Sequence, residues 1–409
     1  MTLNVPEPVS KLLQRFEAAG FEACLVGGCV RDSLRGVQPQ DYDVATAALP
    51  EQTEMISDGY RVIETGLKHG TVTVIAGDYP VEITTYRTES GYSDHRHPDS
   101  VSYTPLLTED LARRDFTVNA MAYIPGKGLI DPFGGENDLN NKLLRCVGIP
   151  ENRFSEDALR ILRAVRFSST LGFSVEENTA AAAFSARKEL RFVSSERISA
   201  EFSKLICGDF AVRAITDFGG IIREFISVPE TASDSAVLSL SKLKKSVPLR
   251  LAALLSDLPA EQAGSQLRRL RYSNFIRERA VKLIAAHRNG IPSEYADICS
   301  ALDKLTPELF FEYIELERAL WAVSENFDNL CAAETAENTA CRILENNECY
   351  SLKQLDVSGS DIAAAGISSG REIGAALNNL LSAVIAGKVA NKKQLLMEYL
   401  TKKLSCADE

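Results

Sequence analysis

The fold of this chain is indicated first by one stretch, Leu25-Val-Gly-Gly-Cys-Val-Arg-Asp-Ser-Leu-Arg-Gly36, which is followed by Asp41-Tyr-Asp43. The apolar residues ahead of the Gly-Gly pair predict a short strand that turns into a helix. Because glycine has no side chain, backbone N–H groups at the start of that helix can approach a phosphate closely. On a second strand, Asp41 and Asp43 would project from one face and offer Mg²⁺ two oxygen ligands.

Each half of this pattern also has an ordinary structural interpretation. A Gly-Gly pair alone is more often a turn than a phosphate site, and a single Asp-x-Asp is usually a solvated strand edge or loop. Together, with Arg31 and Asp32 between them, the two halves favour metal-assisted nucleotidyl transfer.

Composition limits the class of protein. The chain has 409 residues, which predicts two to four domains, and it contains no apolar run long enough to span a membrane. Its nine cysteines are scattered without a Cys-x-x-Cys pair. No secretory signal precedes them, so we expect reduced thiols in a cytoplasmic protein rather than disulfides or zinc.

The net charge of −11 argues against global attraction to nucleic acid, but the charge is unevenly distributed. Residues 241–290 contain eleven Lys and Arg against three Asp and Glu, whereas residues 301–350 contain three against eleven. The first segment, called here the basic band, is what a surface that follows a nucleic-acid backbone would look like. Ordinary solvated helix faces remain an equally good interpretation of this feature alone. The acidic segment 301–350 suggests no function.

Secondary-structure patterns change along the chain. Residues 1 to about 140 mix helical and strand periods, and from Glu156 onward helical periodicity dominates. The sequence therefore predicts an α+β protein, with a small sheet carrying helices followed by an all-helical remainder. The predicted elements in the first part are an opening helix at 9–19 and strands at 23–26, 42–45, 70–75 and 81–86.

Two further motifs carry charged groups. Glu82 is flanked by Val81 and Ile83 on a predicted strand, so it faces away from the core, either towards Asp41 and Asp43 or simply into solvent. Arg113-Arg114-Asp115 offers guanidinium donors for phosphates or a ribose hydroxyl, together with one acceptor, although the same charges could merely pair among themselves.

The stretch Glu156-Asp-Ala-Leu-Arg160 points to base selection. On one helix, Asp157 and Arg160 would be neighbours on one face, and ordinary ion pairing is the structural alternative. Asp157 only accepts hydrogen bonds and Arg160 only donates them. Cytosine and adenine each show an amino donor beside a ring-nitrogen acceptor, which fits this pair. Uracil and guanine show the inverse pattern and would leave buried groups unpaired.

The order and spacing of these motifs resemble class II tRNA nucleotidyltransferases and poly(A) polymerases. The resemblance is specific over residues 20–205, where Asp131-Pro-Phe-Gly-Gly135 and Glu196-Arg-Ile198 also match, and it resumes more loosely near the C-terminus. It implies a polymerase-β-like nucleotidyltransferase head followed by an elongated all-α neck, body and tail. The expected segments are head 1–140, nucleotide-recognition neck 141–205, and tRNA-binding body 206–345 and tail 346–409.

The resemblance also implies an activity: addition of CCA to the 3′ end of tRNA from CTP and ATP, with Mg²⁺ as cofactor. Asp41 and Asp43 would bind the metal, and Glu82 matches the third acidic position of the superfamily. Glu156 would support Arg160. The implied nucleotide-binding residues are Gly27, Gly28, Arg31, Arg113, Arg114, Asp115, Asn119, Glu156, Asp157, Arg160, Arg163 and Arg166.

Residues 86–103 resemble the intact flexible loop of relatives that add all of CCA, which CC-adding relatives shorten or lose. His95 and His97, with Asp94 and Asp99, could alternatively be read as a metal site, but a polar loop is favoured because no other His lies nearby. Three alternatives stay open: an enzyme that adds only A, a non-catalytic tRNA-binding relative, and a nucleotidyltransferase for a small molecule. The oligomeric state is open as well.

Overall fold

In the part of the chain that the structure describes, the strands lie in the first 175 residues, and only the two-residue strand at Ser174–Val175 follows the change of periodicity predicted near residue 156. A computed structural model describes residues 3–66, 70–91, 100–228, 234–367 and 369–405. The chain forms two units, Met1–Ser227 and Val228–Glu409, so their boundary falls inside the expected body segment. The strands are β1 (Ala23–Val26), β2 (Tyr42–Thr46), β3 (Arg61–Gly66), β4 (Thr71–Ala76), β5 (Tyr79–Thr85), β6 (Arg87–Ser90), β7 (Ser100–Tyr103), β8 (Ala122–Ile124), β9 (Gly128–Ile130), β10 (Leu143–Leu144) and β11 (Ser174–Val175).

Seven of these strands form one mixed sheet in the order β3-β4-β5-β2-β1-β8-β9. Among the described strands of this sheet, β2 and β5 form the only parallel pair. Their register places Asp43 beside Glu82. Along β5, Val81 and Ile83 are buried while Glu82 is exposed, as the alternation predicts. Adjacent residues of paired strands share a face, so the parallel pair brings two carboxylates together.

The described residues of the first unit also form ten α-helices. They are α1 (Glu7–Ala18), α2 (Gly28–Leu34), α3 (Pro50–Ile56), α4 (Leu107–Ala112), α5 (Gly135–Asn140), α6 (Pro150–Glu156), α7 (Leu159–Leu171), α8 (Glu177–Ala186), α9 (Ser195–Ile206) and α10 (Ala211–Ile222). Short 3₁₀ segments occupy Thr117–Asn119 and Arg187–Phe192. Helix α4 packs on the sheet, where Leu107 and Leu111 share a buried cluster with Cys24 and Tyr86.

The described part of the second unit is helical. Its α-helices are α11 (Ser235–Leu238), α12 (Val247–Leu254), α13 (Ala260–Arg269), α14 (Asn274–Asn289), α15 (Tyr295–Leu305), α16 (Pro307–Val323), α17 (Phe327–Glu345), α18 (Gly359–Ala364), α19 (Gly370–Ile385) and α20 (Lys393–Ser405). Two 3₁₀ turns lie at Ser239–Ser241 and Leu352–Gln354. No helix in the described residues is long and apolar enough to cross a membrane.

Helix α16 explains part of the charge imbalance in the second unit. Glu312 is buried and accepts from Lys244 at 3.0 Å and from Arg279 at 2.8 Å. Glu308 and Glu315 make further ion pairs to the same two cations. Part of the acidic segment 301–350 therefore neutralises part of the basic band within the unit itself.

The α+β prediction is confirmed, with differences at the level of elements. The opening helix begins at Glu7 rather than Val9, and the predicted strands agree with β1, β2, β4 and β5 to within two residues. The short strands β3, β8 and β9 were not predicted, because they have three to six residues and lack a clear alternation. Strands β6 and β7 pair as an antiparallel stem for the segment 86–103. The proposed loop residues Asp94, His95, His97 and Asp99 lie outside the described residues.

Candidate active site

Three carboxylates lie on or next to the paired strands β2 and β5. Asp43 lies on β2 and is half-buried, Glu82 is its register partner on β5, and Asp41 immediately precedes β2. Burial raises the pKa of Asp43 to about 6; Arg114 opposes the rise, while the charges of Glu82 and Asp41 add to it. A carboxylate held against two like charges is stabilised by a bound cation.

The carboxylate oxygens of Asp41, Asp43 and Glu82 are ligands of the type that a hard cation such as Mg²⁺ prefers. All three groups offer only carboxylate oxygens, and Mg²⁺ is usually held by one or two carboxylates together with substrate phosphates and water. Among the residues that the structure describes, no group of three or more His, Cys, Asp or Glu side chains is placed so that it could hold a metal ion. The three carboxylates thus offer the oxygen ligands that Mg²⁺ prefers, but they do not form a three-residue metal site.

Gly27 allows two charged groups to approach the turn between β1 and α2. Its φ of +74° is unfavourable for residues with a side chain. A Cβ at this position would lie 3.0 Å from Nη1 of Arg114 and 3.7 Å from Oδ2 of Asp43. Gly27 is therefore required by its backbone angle, and its missing side chain leaves room for Arg114, whereas a Cβ at Gly28 would meet only Nη2 of Arg31 at 3.7 Å.

The arginines beside this turn are held by acidic and amide groups. Arg31 is buried, and its Nη1 donates to Oδ1 of Asn119 at 2.6 Å. Arg113 and Arg114 both donate to the fully buried carboxylate of Asp110. The Nε of Arg114 is buried without a hydrogen-bond partner. Because buried donors are rarely left unpaired, this group fits an acceptor supplied by a ligand such as a phosphate.

Asp115 links the Arg-Arg-Asp motif to α7. Its Oδ2 accepts from Nη2 of Arg163 at 2.7 Å, and its Oδ1 accepts from the side-chain amide of Asn119 at 3.0 Å. Burial alone would raise the pKa of Asp115, but the charge of Arg163 and the hydrogen bond from Asn119 hold it down at about 2. Asp115 is therefore ionised at neutral pH and orients both neighbours.

Guanidinium groups from α2 and α7 surround the aromatic ring of Phe167. Arg166 lies 3.6 Å from the centroid of Phe167, and Arg31 and Arg163 lie 5.2 and 5.4 Å from it. Buried Glu201 of α9 pairs with Arg166 at 2.7 Å and with Arg163 at 3.8 Å. Such stacking and pairing fix cations that would otherwise be flexible.

The prediction that Asp157 and Arg160 share one helix is wrong. Helix α6 ends at Glu156, Asp157 has extended backbone angles, and α7 begins at Leu159. The Asp157 side chain accepts from the backbone N–H of Leu159 at 3.0 Å, which stabilises the interruption. The helical interpretation fails because the motif's spacing fits a continuous helix equally well.

Contacts from other segments hold both members of this pair. Arg197 of α9 donates to both carboxylate oxygens of Asp157, at 3.2 and 2.7 Å. Arg160 pairs with Glu156 at 2.5 Å and donates to the carbonyl oxygens of Arg113 and Arg153. Glu156 thus contacts Arg160, as the sequence comparison implied.

Most of the residues predicted from the sequence line one cavity of about 470 Å³. Its walls include Asp43 at one position and Asp157 with Arg160 at another. Asp41, Glu82 and Glu156 do not line it. The lining residues are Gly27, Gly28, Arg31, Asp43, Arg113, Arg114, Asp115, Asn119, Asp157, Leu159, Arg160, Arg163, Arg166, Phe167 and Arg197.

Three lining residues were not predicted as site residues: Leu159, Phe167 and Arg197. The signal for Arg197 was present, since it is the central residue of the Glu196-Arg-Ile198 motif. Leu159 and Phe167 lie in motifs that were otherwise recognised, but apolar side chains at helical spacing are usually core. Only the packing of α7 against the cavity distinguishes them.

Comparison with known proteins agrees with this geometry. Residues 23–145 match the family described as poly A polymerase head domain, residues 172–218 match the probable RNA and SrmB-binding site of polymerase A, and residues 249–400 match tRNA nucleotidyltransferase domain 2 (putative). The CCA-adding enzyme of Lactobacillus delbrueckii subsp. bulgaricus is 35% identical, with 95% of this chain and 96% of the relative covered. That of Lacticaseibacillus paracasei is 35% identical, with 98% of both covered.

Solved structures show the same relationship. The CCA-adding enzyme of Bacillus stearothermophilus in complex with CTP is 28% identical, covers 99% of both chains and has a TM-score of 0.80. The Thermotoga maritima CCA-adding enzyme complexed with tRNA-CCA is 20% identical, covers 98% of this chain and 96% of that chain, and has a TM-score of 0.64. The second likeness extends the agreement in fold only.

Proposed function

The chain belongs to the family of CCA-adding tRNA nucleotidyltransferases, and we propose on this basis how its residues carry out the activity. It adds C, C and A to the 3′ end of tRNA, without a nucleic-acid template, using CTP and ATP and releasing pyrophosphate. One observation carries the assignment of residues: a single cavity of about 470 Å³ joins the carboxylate of Asp43 to the pair Asp157 and Arg160.

The carboxylate end of the cavity is the place of chemistry in this proposal. Asp41 and Asp43 would hold Mg²⁺, with Glu82 beside them. When bound, the metal would lower the pKa of the attacking tRNA 3′-hydroxyl and neutralise charge on the phosphates. The protein groups Arg31, Arg113 and Arg114 would bind the triphosphate. The unpartnered Nε of Arg114 supports that role.

Asp157 and Arg160 would select the base at the other end. Asp157 accepts from the amino group of cytosine or adenine, and Arg160 donates to the neighbouring ring nitrogen. Uracil or guanine would place a carbonyl against the carboxylate and an N–H against the guanidinium. Gly27 and Gly28 allow close approach of the phosphates, and Asp115, Asn119, Arg163 and Arg166 would position the nucleotide between the two ends.

The helical segments would bind the tRNA. We propose nucleotide recognition for 141–205 and tRNA contacts for the body and tail, 206–409. The basic band supports contact with the sugar–phosphate backbone of the tRNA. Proteins recognise an RNA duplex mainly by the shape of this backbone rather than by base sequence. No disulfide joins the described cysteines, which supports the proposed cytoplasmic location.

One assay tests the function. The protein is incubated with Mg²⁺ and three tRNAs that end at the discriminator base, after C and after CC, each with single labelled nucleotides. We expect C addition to the first two and A addition to the third, with no use of UTP or GTP. Addition only to the CC end would instead indicate an A-adding enzyme. No incorporation at all, with tRNA still bound, would indicate a non-catalytic relative.

A further inference from the structure

Asp157 does not face the cavity as an isolated carboxylate. Arg197 donates from Nη1 to Oδ1 at 3.2 Å and from Nη2 to Oδ2 at 2.7 Å. The two residues are 40 positions apart, and both are largely shielded, with Arg197 25% and Asp157 18% exposed. A two-point pair of this kind fixes the plane of the carboxylate as well as its charge.

The remaining hydrogen-bonding capacity of Asp157 can be counted. A carboxylate has about four acceptor positions, two on each oxygen. On Oδ1, Arg197 and the backbone N–H of Leu159 (at 3.0 Å) occupy both. On Oδ2, Arg197 occupies one. A single acceptor position is therefore left, and it belongs to Oδ2.

Arg160, the other residue proposed to select the base, is held by contacts that do not involve Arg197. Arg160 is held by Glu156 at 2.5 Å and by the carbonyl oxygen of Arg113 at 2.9 Å, whereas the hydrogen bonds of Arg197 go to Asp157. The acceptor and the donor are thus oriented by separate elements, α9 for Asp157 and the end of α6 for Arg160. A change at Arg197 can disturb the acceptor while the anchors of Arg160 remain.

We infer that Arg197 is a positioning residue for base selection: it turns Asp157 so that Oδ2 alone offers one acceptor to the incoming base. The inference rests on the proposed function, because it assigns Arg197 a role in choosing CTP and ATP. One acceptor matches one N–H of the exocyclic amino group of cytosine or adenine, the one that lies on the Watson–Crick edge beside the ring nitrogen. Without the clamp, the carboxylate rotates, and rejection of uracil and guanine weakens.

The test measures nucleotide discrimination in Arg197→Met, Arg197→Lys and the wild type. The readout is kcat/KM for CTP against UTP on a tRNA ending after C, and for ATP against GTP on one ending after CC. We expect both ratios to fall at least about tenfold in Arg197→Met. Lysine is a point donor and cannot engage both oxygens, so Arg197→Lys should remain well below the wild type.

A matched control is Arg15→Met, which removes an exposed arginine of α1 in the same unit that donates to the carbonyl oxygen of Asp58 outside the cavity. Its discrimination ratios should equal those of the wild type. Thermal unfolding and the KM for tRNA are measured for every variant. A variant that loses activity equally with all four nucleotides, while its ratios stay unchanged, would show a merely structural role and overturn the inference.

A double-variant cycle with Asp157→Ala identifies the route of the effect. If Arg197 acts through Asp157, adding Arg197→Met to Asp157→Ala should not change the CTP-to-UTP ratio further. An additional loss of discrimination would contradict the inference, and so would full restoration by Arg197→Lys. The proposed function fails separately, since it is lost only if the wild-type protein itself adds no nucleotide.

Discussion

At the scale of residues, the cavity is organised by groups that compensate one another's charge. Burial and, to a smaller extent, the like charges of Glu82 and Asp41 raise the pKa of Asp43, while the charge of Arg114 opposes the rise. Asp115 lies among cations, so its pKa is lowered. Two aspartates in one cavity therefore serve different purposes: the first is suited to bind a metal, and the second holds the surrounding side chains in place.

Asp43→Asn should lower the rate of nucleotide incorporation by about 10²–10³-fold or more. The substitution removes a charged metal ligand from the place where the charge of the phosphates must be neutralised. Incorporation of labelled CTP and filter binding of tRNA are measured together. Binding of tRNA should be nearly unchanged. The matched control is Asp78→Asn, in the exposed turn between β4 and β5. Wild-type incorporation by Asp43→Asn would refute the metal assignment.

Asp115→Asn should reduce the free energy of unfolding by about 2 kcal/mol at pH 7, given a pKa of about 2 in the folded protein against 3.8 for an ordinary aspartate. Because the folded pKa is lowered, this contribution is complete above the unfolded value and is lost as the pH falls towards 2.

Urea unfolding at a series of pH values checks this sign. The difference between the wild type and Asp115→Asn should shrink as the pH falls from 5 towards 2. Asp58→Asn, at an exposed position, should show no such trend. A difference that stays constant over this range would mean that Asp115 stabilises the fold by something other than its charge.

At the scale of elements, α7, which carries several cavity arginines, packs closely against the turn between α9 and α10. The hydroxyl of Ser169 on α7 donates to the carbonyl oxygen of Leu205, and its own carbonyl accepts from the N–H of Phe210. Gly208 lies in this turn, and a Cβ there would be 2.6 Å from the carbonyl oxygen of Ser169. Glycine is required here by space rather than by a positive φ.

Gly208→Ala should therefore destabilise the first unit by about 1–3 kcal/mol, because backbone must move to admit the methyl group. The measurement is thermal or urea unfolding. Gly220→Ala on α10 is the control, since its Cβ would meet only Phe184 at an ordinary 3.4 Å. Alanine there should be neutral or stabilise the helix by up to about 1 kcal/mol. Equal effects of the two variants would contradict the packing argument.

At the scale of the whole molecule, the net charge of −11 and an RNA substrate are compatible because the charge is not evenly spread. Glu312 neutralises Lys244 and Arg279 of the basic band. Other cations of the band line a separate groove of about 550 Å³ between α13 and α14, among them Arg268, Arg277 and Lys282. These three are the ones we expect to contact phosphates.

The triple variant Arg268→Gln, Arg277→Gln and Lys282→Gln should weaken tRNA binding and lower its salt dependence. Each lost phosphate contact should reduce the slope of log K against log[salt] by about 0.7–0.9. Binding is measured from low to moderate salt. A triple variant with the same charge change on the first unit, Lys11→Gln, Arg61→Gln and Lys127→Gln, is the control. An unchanged slope in the α13–α14 variant would exclude this groove from tRNA binding.

The sequence by itself determined the local features of this protein. Alternating apolar residues fixed the face on which Asp43 and Glu82 lie, and the Gly-Gly pair fixed the turn beside them. The order of motifs fixed the family, because these residue types at these spacings serve one chemistry. Such features depend on neighbours a few positions apart, which a sequence pattern contains directly.

Only the tertiary structure decided the contacts between distant segments. The parallel pairing of β2 with β5 brought Glu82 to Asp43, and α9 brought Arg197 to Asp157. The sequence also did not predict the break between α6 and α7 at Asp157, because the spacing of Asp157 and Arg160 fits a continuous helix equally well. The physical reason for the two long-range contacts is the same: strand pairing and helix packing join residues 39 and 40 positions apart (82 − 43 and 197 − 157), and local periodicity carries no information on which distant partner satisfies a charge.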